Sequence, residues 1–253
     1  MITDVCLEAI GKTFKNLKKL SISHNSIKSW RDIEDKSILL DVGSSLQQLD
    51  LSFNYLKGVS QQVQELLVLK ILNISNNAFG EFPKQLLPMQ SLNTLLIQNN
   101  QIWVWLWDNY QPDASHGLIS SLESLDISNN RLVTSTANEI RHFDALQTLD
   151  LSGNKMEQLP VDLLKLPTLI ELYLHNNMIE TTPAEVETQL SLSILSLYGN
   201  NCKNSKTKFK SQAKIIWSST KTQESDKGSK CKSNTGNLVI VCFLKTFNLP
   251  PNF

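Results

Sequence analysis

The sequence predicts an α/β solenoid of about eight stacked units, each giving one short strand to a parallel sheet and one helical turn to the opposite side. Three observations predict it. A frame L-x-x-L-x-L-x-x-N-x-L starts at Leu17, Leu46, Leu69, Leu92, Leu122, Leu146, Leu169 and Leu192, at steps of 29, 23, 23, 30, 24, 23 and 23 residues. Its ninth place is always Asn: Asn25, Asn54, Asn77, Asn100, Asn130, Asn154, Asn177 and Asn200. Within each unit the apolar spacing changes from every second residue to every third or fourth.

The unit Leu146 to Thr168 justifies the elements. Leu149 and Leu151 alternate with Thr148, Asp150 and Ser152, which is a short strand with one buried face. Leu159, Leu163 and Leu166 follow at intervals of four and three, which suits a helical turn on the far side. Val59, Val63 and Leu66, then Phe82, Leu86 and Met89, fill the same places in other units. Neither half buries its apolar side alone, so each unit needs a copy above and below. Inward strand residues (Leu20 and Ile22, Leu49 and Leu51, Leu72 and Ile74) are expected to form one hydrophobic column. The Asn column is read as structural. An inward amide both donates and accepts, so it satisfies backbone groups that lose ladder partners where each strand turns away.

The frame and its Asn column resemble the leucine-rich repeat family over roughly residues 5 to 202. The resemblance implies a curved horseshoe with the parallel sheet on its concave face and short helices or turns on its convex face. Pro follows an apolar residue in Phe82-Pro83 and Leu159-Pro160, with Pro183 at the matching site. This 23-residue L-P variant is similar to intracellular proteins of the Ras-suppressor, Erbin and Scribble kind. That likeness implies protein partners, of the small GTPase or phosphatase class, with no partner motif carried over residue by residue.

Four segments are expected. Residues 1–16 are a partial repeat or an N-terminal helical cap, because Leu7 and Phe14 fall where Leu159 and Leu166 fall in their unit. Residues 17–202 are the solenoid. Residues 203–235 are rich in Lys, Ser and Thr, with a capping helix expected over 207–217 from the stripe Phe209, Ala213, Ile216 and Trp217. Residues 236–253 form an apolar C-terminus without repeat character.

The formal net charge is zero but unevenly spread. Residues 1–202 hold 14 Lys and Arg against 22 Asp and Glu, near −8; residues 203–253 hold 10 Lys against two acids, near +8. The Lys-rich stretch is read as solvated, with no nucleic-acid partner expected. The start MITDVCLEAIGKTF lacks a basic n-region and apolar core, and Leu238–Leu244 is too short to span a bilayer. Cys6, Cys202, Cys231 and Cys242 are few and scattered. The expectation is a cytoplasmic protein with free thiols.

No catalytic or metal constellation stands out. His24, His116, His142 and His175 are dispersed, and neither a Gly-rich phosphate loop nor a paired-Cys zinc site is present. No cofactor is expected. Asp50, Asp126 and Asp150 share the fifth place of the frame and are read as a solvated acidic stripe on an open face, not as a carboxylate pair for hydrolysis.

That face is the expected working surface. Its C-terminal third mixes acids and aromatics, and Asp126, Asp150, Glu171, Tyr173, His175 and Tyr198 are the candidate protein-binding residues. They suit a partner with a basic patch and a few apolar anchors. The rival site is the stretched fourth unit, where Trp103, Trp105, Trp107 and Tyr110 either seal the convex core or anchor a partner. The functional expectation is a non-enzymatic scaffold or adaptor of intracellular signalling. Its alternative is a piece of a larger leucine-rich repeat signalling protein or receptor.

Overall fold

The computed structural model describes residues 16–29, 43–104, 117–181 and 192–201, and the backbone of 214–216; the side chain of 138 is not described. The chain forms two compact units, Met1–Ser218 and Ser219–Phe253, and every described residue lies in the first. The expectations for residues 1–15, for Trp105, Trp107 and Tyr110, for Pro183 and for residues 202–213 and 217–253 lie outside the described residues.

Each repeat contributes three strand residues, from positions three to five of the frame. They are β1 (Lys19–Ser21), β2 (Gln48–Asp50), β3 (Ile71–Asn73), β4 (Thr94–Leu96), β5 (Ser124–Asp126), β6 (Thr148–Asp150), β7 (Glu171–Tyr173) and β8 (Ile194–Ser196). The sheet is open and parallel, with strands ordered as in the chain. Register holds row by row: Leu20, Leu49, Leu72, Leu95, Leu125, Leu149, Leu172 and Leu195 lie side by side. Parallel strands need a crossover, and the second half of each unit supplies it.

The strands are short because the chain turns at position eight. His24, Phe53, Asn76, Asn99, Asn129, Gly153, Asn176 and Gly199 all have positive φ. Asn and Gly tolerate this left-handed region best, and six of the eight places hold one of them. At Gly153 the need is twofold, since a Cβ there would also strike the side-chain oxygen of Asn129.

Past that turn the Asn column accounts for the backbone. Asn154 Oδ1 accepts from Leu132 N–H at 3.0 Å, while Nδ2 donates to the carbonyls of Ile127 at 3.2 Å and Leu151 at 3.0 Å. The same pattern recurs at Asn54, Asn77, Asn100, Asn130, Asn177 and Asn200. Each amide thus ties position eleven and position six of one repeat to position six of the next. The Asn column is structural, as its amide chemistry predicts.

The far side is built from 3₁₀ turns more than from α-helix. Turns η1 (Gln61–Glu65), η2 (Lys84–Leu86), η3 (Asn138–His142) and η4 (Val161–Lys165) accompany two short helices, α1 (Gly117–Ser121) and α2 (Thr134–Ala137). Pro83 and Pro160 stand at the N-caps of η2 and η4, where their fixed φ suits the entry and no N–H is lost from the ladder. Their apolar residues are buried as the spacing predicts: Val63 is 2% exposed, Leu86 and Leu163 0%.

One expectation is corrected at the C-terminal end. Residues Lys214–Ile216 form a ninth strand, β9, parallel to β8, and not the last turn of a 207–217 helix. The unpaired edge of β8 offers backbone donors and acceptors that only an extended segment satisfies, and this outweighs a weak helical stripe.

Candidate functional site

The outward residues on β5 to β8 come from positions three and five, and those just past the strand ends from position seven. Asp126 and Asp150 are register partners on adjacent strands, and Tyr173 is the next partner of Asp150. The acids are not the solvated stripe that alternation suggests. Asp150 is 5% exposed and Asp126 partly buried. Each carboxylate folds back to accept the backbone N–H two residues on: Asp126 Oδ1 from Ser128 at 3.0 Å, Asp150 Oδ1 from Ser152 at 2.8 Å. Asp50 does the same with Ser52, and the uncharged Asn73 with Ser75. Position five therefore closes a local turn, and its acids lie low on the sheet because the acceptor is needed there. The position-seven serines Ser52, Ser75, Ser128 and Ser152 are buried as well.

Burial has an electrostatic consequence. Loss of solvent, reinforced by the charge of Asp150, pushes Asp126 up to about 6, although bonds from Ser128 pull the other way. Burial also raises Asp150 against its own bonds from Ser152. Two carboxylates that resist ionising side by side would gain from a cation laid over them.

Beside the acids stands an aromatic group. Tyr173 donates its hydroxyl to Glu171 Oε2 at 3.1 Å. His175 stacks on Tyr198 with ring centres 4.3 Å apart and planes 13° from parallel, and Tyr173 meets His175 edge-on at 6.4 Å. Ser196 Oγ lies 3.4 Å from His175 Nδ1. Burial lowers the His175 pKa and so favours the neutral ring. Burial and then the charges of Glu171 and Asp150 raise the Tyr173 hydroxyl; burial and then Asp150 raise that of Tyr198. The arrangement joins neutral ring faces to neighbouring carboxylates, a chemistry suited to a guanidinium or ammonium group. It brings Asp150, Glu171, Tyr173, His175 and Tyr198 together, with Asp126 at its margin. The two tyrosines are partly buried, not freely exposed.

Of the rival site only Trp103 is described. The residue is 60% exposed, so of the two readings of this segment the core-sealing one does not hold for Trp103. The preceding Ile102, at position eleven, takes the core seat at 0% exposure. Sequence reasoning did not single out the stacked, exposed rings of His24 and Phe53 at the N-terminal end, nor the exposed Tyr55 two residues further on. Among the described residues no group of His, Cys, Asp and Glu could hold a metal, and no helix is long and apolar enough to cross a membrane.

Repeat length, the Asn ladder and the open parallel sheet together decide the class. This chain is a leucine-rich repeat solenoid. A family model described as leucine rich repeat matches residues 108–156. The repeats are similar to those of the oligodendrocyte-myelin glycoprotein of Homo sapiens, 32% identical over 171 residues covering 60% of this chain and 38% of that protein. They are also similar to a probable inactive serine/threonine-protein kinase, roco10, of Dictyostelium discoideum, 30% identical over 131 residues covering 52% of this chain and 5% of that protein. Among solved structures, a leucine-rich repeat protein of Leptospira interrogans matches at TM-score 0.60 and 26% identity, over 80% of this chain and 55% of its own. The chain thus spans well under half the length of these two curated relatives.

Proposed function

We propose that this leucine-rich repeat chain is a non-enzymatic scaffold that takes a basic protein surface on the outward face of its sheet, over repeats six to eight. The observation that carries this is the Tyr173–His175–Tyr198 ring group set against Asp150 and Glu171. Tyr173 sits on β7, and His175 and Tyr198 lie two residues past the ends of β7 and β8 and stack on each other, so little conformational entropy is lost on binding. Carboxylates beside them steer a cationic partner and supply the charge that an Arg or Lys anchor needs. The cytoplasmic signalling role, and the small GTPase or phosphatase classes, rest on the L-P resemblance. A second reading, the ligand-binding part of a larger leucine-rich repeat protein, draws on the small share of each curated relative that the repeats cover.

The test is affinity capture with the full chain, repeated with Glu171→Lys and with Tyr173→Ala combined with Tyr198→Ala. Charge reversal at Glu171 leaves the local turns of Asp126 and Asp150 intact. Both variants should lose the captured partner, and the double variant should weaken binding by at least ~2 kcal/mol. Capture undiminished by either variant would move the site off this face.

A further inference from the structure

We propose a second docking surface at the other end of the solenoid: the edge where β1 and β2 turn, formed by His24, Phe53 and Tyr55 with Lys28 and Lys57. It fits an acidic protein segment that carries an aromatic or aliphatic anchor.

Position eight supplies the argument. In six of eight repeats it holds Asn or Gly, which meet the left-handed backbone at little cost. Repeats one and two instead place His24 at φ 56° and Phe53 at φ 53° there. His enters that region more readily than most residues, but the bulky Phe53 is strained there and does not improve the turn. Nor does it serve the core, since Phe53 is 47% exposed and His24 is exposed too. The two rings lie flat on each other, with centres 4.1 Å apart and planes 11° from parallel. Tyr55, at position ten, is 58% exposed, held by its N–H on the carbonyl of Ile27 at 2.9 Å. The stacked pair, with the exposed Tyr55 two positions on from Phe53, leaves aromatic surface facing solvent at a cost to the backbone, and such strain gathers where a surface has work to do.

The charge around the platform selects the occupant. Lys28 and Lys57, both exposed, hold position twelve of these two repeats. The equivalent places in repeats six and seven are Glu157 and Glu180, so the sign of the edge reverses along the solenoid. Going on into repeat three, the edge becomes small and neutral at Asn76, Ala78 and Gly80. The platform is therefore two repeats wide, which matches one anchored segment of a partner. It lies five strands from the Tyr173 group, ~24 Å at the usual strand spacing, and stands or falls independently of it.

The test uses the full chain and a fluorescein-labelled acidic peptide with one Trp among Asp and Glu residues, followed by anisotropy at low salt. A peptide with Lys in place of the acids, and phosphatidylserine vesicles, are the comparison probes. The acidic peptide should bind, and Phe53→Asn should weaken it at least tenfold while the melting temperature holds or rises. Lys57→Glu should weaken it similarly, and Tyr198→Ala should leave it unchanged. Equal binding by Phe53→Asn and Lys57→Glu would overturn the proposal. So would equal binding of the Lys peptide, or binding of the vesicles without the acidic peptide.

Discussion

Replacing Asn154 by Ala isolates what one rung of the ladder contributes. The side chain is 5% exposed and makes three principal hydrogen bonds, but they are not equally replaceable. The carbonyl of Ile127 also accepts from Asn130 at 3.1 Å, and that of Leu151 from Asn177 at 3.0 Å. Both carbonyls keep a donor when Asn154 is truncated. Leu132 N–H loses its acceptor, and it sits on a residue that is 0% exposed. A buried donor left unmade costs ~1–3 kcal/mol, so a loss of about 2 kcal/mol is expected, nearly all from that one N–H. Chemical denaturation of the full chain measures the total, and amide exchange at Leu132 locates it. Asn154→Asp sharpens the reasoning. Its carboxylate still accepts from Leu132 but points a second oxygen at two carbonyls, so the ionised form is disfavoured and the folded-state pKa lies above the unfolded one. That variant is therefore least impaired below the ordinary carboxylate range and loses stability as pH rises through the folded pKa. An unchanged denaturation midpoint for Asn154→Ala, or exchange at Leu132 no faster than in the parent, would refute the account.

Other expectations follow from the same geometry. Asp126, raised to about 6 from 3.8, contributes stability when protonated; that contribution fades as pH climbs through about 6. Stability should accordingly rise from pH 7 to pH 5. Asp126→Asn, which keeps the turn bond as Asn73 does, should flatten that slope by on the order of 1 kcal/mol in pH-dependent melts. Gly153→Ala should cost about 1–2 kcal/mol, because φ is +65° and the new methyl meets Asn129. Asn76→Gly, where no such contact is added, should change the thermal midpoint little.

The core and the ladder were legible because eight copies of one frame say the same thing. Leu149 is a core residue in any parallel stack, and Asn154 has an amide that backbone groups need. Depth on the open face was not legible. Alternation says that Asp150 points outward, yet only the turn bond to Ser152 shows that it lies down on the sheet. The left-handed turn left a signal in the sequence, since Asn76, Asn99, Asn129, Asn176, Gly153 and Gly199 share one place. Read that way, Phe53 stands out as the wrong residue for its backbone, and with it the exposed platform. Trp103 left two readings open for a different reason: an indole in an insertion can be core or contact until the frame assigns the buried seat to Ile102.

The end of the sheet shows where local pattern yields to context, and it makes a prediction of its own. Ala213, Ile216 and Trp217 are spaced for a helix, but Lys214–Ile216 pairs with β8 in register, Leu195 beside Ile215. A strand edge is worth covering because its unpaired N–H and C=O groups recruit other chains. Leu195 and Leu197 are each 1% exposed, so the last column is a closed one. Cutting the chain after Asn201 removes β9 and should turn β8 into a free edge; cutting after Ser218 keeps β9 and the whole first unit. The shorter piece should therefore aggregate at concentrations where the longer one stays monomeric by light scattering. The longer piece should also match the full chain in its melting transition. Equal solubility of the two pieces would show that the edge needs no cover. An insoluble 1–218 piece would shift the capping role to residues beyond Ser218.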